Sequence, residues 1–193
     1  MSARGVVGFR HKRKDLLTYN HSDSYPSGLG LRVVRDLHDL LLKGREPLVR
    51  QVEALTIVTE ETPRPDEKER RRLQKYTNDS VSTQDEYWYQ TLRGTQGDIK
   101  AILESRYLLD SNSFILDSLF CEWGYIVNLD EETLEVYKGG QEKRTQHGRY
   151  AKLPPTDGYY PCALVQVFDF GLIIDHLEMV LGLMATLEAE DED

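Results

Sequence analysis

The chain has 193 residues, 39% hydrophobic and 30% charged, a balance that belongs to soluble globular proteins and excludes disordered or fibrous ones. That length carries one sizeable core, so a single domain is expected over residues 1–187, followed by an acidic tail at 188–193. A net charge of −9 argues against general nucleic-acid binding, because neutralising phosphates takes a basic surface.

In chain order, Gly5-Val6-Val7-Gly8-Phe9 and Leu16-Leu17-Thr18-Tyr19 read as two short strands around a basic turn from His11 to Asp15. The twelve residues Tyr19-Asn20-His21-Ser22-Asp23-Ser24-Tyr25-Pro26-Ser27-Gly28-Leu29-Gly30 then gather more reactive side chains than any other stretch of that length. Ser24 or Ser27 is placed to cap the following helix, whose Leu29, Val33, Val34, Leu37, Leu40 and Leu41 recur at helical spacing and which ends near Lys43-Gly44. Pro47 opens a second helix, expected to continue through Leu48, Val52, Leu55 and Ile57.

Residues 59–107 form a more polar helical segment. It contains a breaker from Thr59 to Asp66, a polar helix from Glu67 to Tyr76, and a capping box at Thr83-Gln84-Asp85-Glu86. That box starts a helix with Trp88 and Leu92 that stops at Gly94, and a short helix follows from Asp98 to Tyr107. From Phe114 the pattern turns to strand: Leu119 to Leu129 and Leu134 to Lys138 flank the turn Asp130-Glu131-Glu132-Thr133, the clearest hairpin signal in the chain. Gly139 to Thr156 is a loop containing His147, Cys162 to Phe168 is a strand, and Leu172 to Leu187 is a closing helix. Strand-rich ends around a helical middle predict an α+β fold whose terminal hairpins join one antiparallel or mixed sheet flanked by helices.

The two cysteines, Cys121 and Cys162, sit among apolar residues without metal-ligand spacing, so buried free thiols in a reducing cytoplasm are expected. No run approaches the ~20 apolar residues that span a bilayer, and no membrane partner or cofactor is expected. Oligomeric state is left open.

Strand alternation carried past Leu17 puts Tyr19, His21 and Asp23 on one face and Asn20, Ser22 and Ser24 on the other. Four readings of the motif follow. His21 and Asp23 with a nearby hydroxyl have the parts of a base, an orienter and a nucleophile, although side chains two apart on a strand run parallel and a triad is normally assembled from separate segments. The same pair could supply two metal ligands, with His147 or Glu122 as a third. Asn20, Asp23 and Ser24 could instead bond backbone groups and shape the turn. The residue types fit best with ligand binding: Tyr19 or Tyr25 stacks on a ring, Asn20 and His21 supply hydrogen bonds, and the Ser27-Gly28 helix start holds an anion, assisted by Arg4.

Ser2-Ala3-Arg4-Gly5-Val6-Val7-Gly8-Phe9 is similar to the start of class II glutamine amidotransferases, where a Cys-Gly-Ile-Val-Gly type segment opens an N-terminal nucleophile fold. The resemblance covers about eight residues. It implies an αββα sandwich and a nucleophile at the processed terminus; no cysteine lies there, so Ser2 would take that role. The wider pattern of Arg4-Gly5, Tyr19-Asn20-His21, Asp23-Ser24-Tyr25-Pro26 and Leu29-Gly30, with Glu122-Trp123-Gly124-Tyr125, also resembles a family of soluble proteins to which no activity attaches. Three functions are therefore carried forward. The first is a binder of a small anionic or nucleotide-like metabolite, acting as a sensor or by sequestration. The second is an N-terminal nucleophile-type amide hydrolase or transferase, with Ser2, His21 and Asp23 as catalytic candidates. The third is a protein-interaction module built on the polar helical middle.

Overall fold

The computed structural model describes residues 3–81, 87–145 and 147–188. Strands β1 (Gly5–His11) and β2 (Lys14–Asn20) form the first hairpin. Its two turn residues, Lys12 and Arg13, have positive φ values of 50° and 62°, a conformation that costs non-glycine residues energy. The Asp130 carboxylate offsets that cost by accepting both turn amides at 2.8 Å. The chain next makes a π turn at Pro26–Gly30 and enters α1 (Leu31–Leu42), which buries Val33, Val34, Leu37, Leu40 and Leu41, the stripe its spacing predicts.

Helix α2 (Arg45–Glu53) ends sooner than the periodicity suggests, and Thr56–Val58 forms β3. Leu48, Val52 and Leu55 keep helical spacing, but the β-branched run Thr56-Ile57-Val58 prefers an extended chain, and β4 (Tyr107–Leu109) stands ready as a parallel partner. Between them lie α3 (Glu67–Leu73), α4 (Tyr87–Thr91) and α5 (Ile99–Ser105), so Tyr107 opens a strand instead of closing a helix. Leu73, Tyr76, Trp88 and Leu92 pack with Val58 in a small core of their own. The capping box at 83–86 lies outside the described residues.

Strands β5 (Trp123–Asn128) and β6 (Thr133–Lys138) form the expected second hairpin, and β7 (Ala163–Asp169) follows the loop. The closing segment is two helices, α6 (Phe170–Asp175) and α7 (Leu177–Thr186). The backbone breaks at His176, which lets Ile173 on one side and Val180, Leu181 and Met184 on the other all reach the core.

The main sheet is mixed, in the order β2-β1-β5-β6-β7, with β1 antiparallel to β2 and parallel to β5. The two hairpins therefore meet in one sheet, and the fold is α+β. One face, through Val7, Phe9, Tyr125, Val127, Leu134, Val136 and Phe168, packs on α1, α6 and α7. The opposite face, through Val6, Leu17, Ile126 and Tyr137, is covered by Ile115, Cys121, Tyr150 and Cys162 from the connecting segments. An αββα sandwich stacks a second sheet there; among the described residues that place is held by loops, and the only other sheet is the β3-β4 pair. Both cysteines are buried free thiols, brought side by side on this face, with Cys162 Sγ 3.3 Å from the Cys121 carbonyl oxygen. Burial, and then contact with Cys162, pushes the Cys121 thiol well up. No described helix is long and apolar enough to cross a membrane.

Candidate functional site

The end of the first hairpin sorts the motif into two sets. Gly5 pairs with Asn20 and Val6 with Tyr19, so the pleat sends Tyr19 to the loop-covered face beside Val6 and Asn20 to the helix face. On the helix face Asn20 Nδ2 donates to the Ser22 carbonyl at 2.6 Å and to Ser24 Oγ at 2.7 Å. The Ser24 amide donates to the Ala3 carbonyl, and the buried Tyr125 hydroxyl donates to the Ser24 carbonyl at 2.9 Å. Asn20 and Ser24 are both buried, and these bonds fold the turn.

On the outer face the Tyr19 ring meets Phe114 edge-on at 5.1 Å and lies 6.5 Å from Tyr89. Its hydroxyl is 3.3 Å from His21 Nδ1. Arg4, one step beyond the Gly5–Asn20 pair, sits beside that hydroxyl, with its guanidinium 5.0 Å over the Phe120 ring. Burial and the neighbouring Tyr89 raise the Tyr19 hydroxyl pKa, while Arg4 and Arg93 pull against them.

The strand ends at Asn20, and Asp23 adopts φ +59°, so the alternation expected through Asp23 stops short of it. The Asp23 carbonyl accepts the Leu29 amide, and its exposed carboxylate lies 3.9 Å from Arg32. Gly28 is required here: a Cβ would come within 2.7 Å of Asp23 Oδ1 and 2.8 Å of its carbonyl oxygen. Thus His21 turns toward Tyr19, and Asp23 toward Arg32.

The start of the helix is already supplied with acceptors. Gly28 and Gly30 amides donate to the Tyr25 carbonyl, and the Ser27 amide donates to a Glu188 carboxylate oxygen at 3.2 Å. No side-chain cap is made by Ser24 or Ser27 at this terminus; the chain's own carboxylate stands where an anion was expected. Tyr25 and Glu188 line a cavity of about 240 Å³ with Glu122, Trp123 and Lys138. Glu122 also accepts the Arg4 amide at 3.3 Å.

A separate cavity of about 320 Å³ opens at the end of β2, walled by Asn20, His21, Ser22 and Asp23. Its other walls are Arg32, from the first turn of α1, and Arg93 and Gln96, from the turn before α5. Gln96 Oε1 accepts the His21 amide at 3.2 Å and a short bond from Arg93, which ties the distant segment to the motif. Arg93 lies 5.5 Å from the centre of the Tyr89 ring. Sequence reasoning did not single out Arg32, Arg93, Gln96 or Tyr89. A basic residue in the first turn of α1 was a readable cue for Arg32; nothing local marks the other three, some seventy residues from the motif.

Ser2 lies outside the described residues, and Ala3 beside it is fully buried. Among the described residues no group of three His, Cys, Asp or Glu side chains gathers to hold a metal ion. His147 stays in its loop, its amide bonded to Thr145 Oγ1. A larger concavity, about 630 Å³ along Pro47, Arg50, Leu103 and Arg106, contains no motif residue. Volume alone does not select a site, and convergent polar groups do. The fold and this cavity define an α+β protein with a polar, arginine-lined recess at a strand-to-helix junction. No family model, curated protein or solved structure matches the chain.

Proposed function

We propose that the recess binds a small anionic, nucleotide-like metabolite, and that the protein acts as a sensor or a sequestering protein for it in the cytoplasm. The observation that carries this is the convergence of Arg32, Arg93 and His21, from three separate segments, on one polar cavity, with the Tyr19 ring beside His21 and the Tyr89 ring beside Arg93. Arginines hold phosphate or carboxylate in a fixed fork, and tyrosine rings offer a face to a heterocycle. The exposed Asp23 carboxylate, acceptor only, suits sugar hydroxyls and steadies Arg32. Because Glu188 occupies the Ser27 amide, the anion is assigned to the arginine side of the junction and not to the helix start.

Thermal-shift titration with mononucleotides tests this reading. Stabilisation that disappears in His21→Ala, Asp23→Ala and Arg93→Ala is the expected result; a response unchanged in all three variants places binding elsewhere.

A second reading, amide hydrolysis or transfer by a processed Ser2 terminus, draws support from the burial of Ala3 against Ser24, which anchors the start of the chain near Arg4 and the motif. Intact mass decides its first requirement: a protein that retains Met1 has no free Ser2 amine to act as base.

A further inference from the structure

The recess is only the inner end of a longer surface. From Arg93 the groups continue outward as Tyr89, 5.5 Å from the Arg93 guanidinium, then Tyr19, 6.5 Å further between ring centres. Arg4 follows beside the Tyr19 hydroxyl, and Phe120 lies 5.0 Å from the Arg4 guanidinium with 42% of its surface exposed. Leu119 beside it is 40% exposed. Along this track two cations, Arg93 and Arg4, are separated by a pair of rings, and a third ring lies outermost. No described carboxylate forms an ion pair with Arg4 or Arg93, whereas elsewhere on the same face Arg149 is held by two carboxylates. An exposed phenylalanine under an arginine has no role for a ligand confined to a 320 Å³ cavity.

We infer that the ligand is a short single-stranded oligonucleotide, one nucleotide seated in the recess and the strand running outward past Tyr19 and Arg4 to Phe120. This rests on the nucleotide-like reading of the recess. Sequence-tolerant binding of single strands combines arginines that follow the phosphates with aromatic faces on which successive bases stack, and the track has both. It is long enough for about four nucleotides, the low end of site sizes for such grooves. The chain's negative net charge then limits binding to this strip and disfavours duplex wrapped over a wider surface.

The test is fluorescence anisotropy with fluorescein-labelled tetranucleotides, RNA and DNA, against competing mononucleotides and a duplex of the same sequence. The expected result is a tetranucleotide at least tenfold tighter than its mononucleotide, with a salt slope of about −1.4 to −2 for two or three phosphates. Phe120→Ala and Arg4→Ala should each remove about tenfold of tetranucleotide affinity, toward the low end of the range for one stacked base, and leave mononucleotide affinity as it was. Phe120 is exposed, so its variant keeps the fold and serves where Arg4→Ala disturbs the hairpin. Equal affinity for mononucleotide and tetranucleotide, or a gap that survives both substitutions, overturns the inference and leaves the metabolite reading standing. Duplex binding as tight as the single strand overturns it as well. Absence of binding by any of these probes removes both.

Discussion

Two clusters of arginine and tyrosine occupy the same face of the sheet and have opposite characters. At one end Arg149 is fixed between Glu135 and Asp15, at 2.5 and 3.1 Å, with its guanidinium near the Tyr137 and Tyr150 rings. Asp15 also receives Arg10 at 2.9 Å and the Tyr150 hydroxyl at 2.6 Å, and Glu135 receives Asn128 and Tyr137. Every charge there is answered by the chain itself. At the other end Arg4 and Arg93 lie over rings, and the polar groups converge on a recess. A closed network holds loop to sheet; an open one leaves cations for a ligand. Arginine beside tyrosine is therefore not a signature of binding until its carboxylates are located.

The sharpest break between the two ends is Asp15→Asn. It strips a carboxylate from Arg10, Arg149 and Tyr150, and chemical denaturation should show a loss of about 2–3 kcal/mol, under the roughly 3–5 of a fully buried pair because Asp15 keeps some contact with water. Ligand response should be unchanged. The pH dependence has a definite sign. Burial alone would raise the Asp15 carboxyl, but hydrogen bonds from Tyr150 and Arg10 and the charge of Arg149 hold it below its ordinary value. A group depressed in the folded state adds stability above its unfolded pKa, about 3.9, and that contribution fades as pH falls through the folded value. Acid unfolding of Asp15→Asn should accordingly be shallower than that of the wild type below about pH 4.

Asn20→Ala should cost about 1–2 kcal/mol, since it strands the Ser22 carbonyl and Ser24 hydroxyl in a buried turn. A loss of ligand response without loss of stability would instead make Asn20 a contact residue. Arg93→Ala should change stability by no more than about 0.5 kcal/mol, as surface replacements usually do, while abolishing mononucleotide stabilisation. A large stability loss there would show that the open end is structural like the closed one. The smallest effect is expected from Glu188→Gln: about 0.3 kcal/mol at low salt, vanishing in high salt, because a carboxylate at a helix start is screened.

Much of the fold is legible along the chain. Short apolar runs on either side of a charged turn marked both hairpins, the spacing of Val33, Val34, Leu37, Leu40 and Leu41 marked the buried stripe of α1, and the charged turn at 130–133 marked the β5–β6 connection. Where a segment's form depends on a remote partner, the reading failed. Thr56–Val58 is a strand because Tyr107–Leu109 lies beside it, and the last helix is broken so that two short faces reach one core.

The site divides along the same line. Pleat periodicity by itself determined that Tyr19 and Asn20 point to opposite faces, because side-chain direction in a strand follows from backbone geometry alone. Only the tertiary structure decided that Asp23 turns away through a positive φ, that Glu188 fills the helix start, and that Arg93 and Gln96 close the recess. Those are contacts between segments up to 161 residues apart, set by how the layers pack, and no local propensity encodes them.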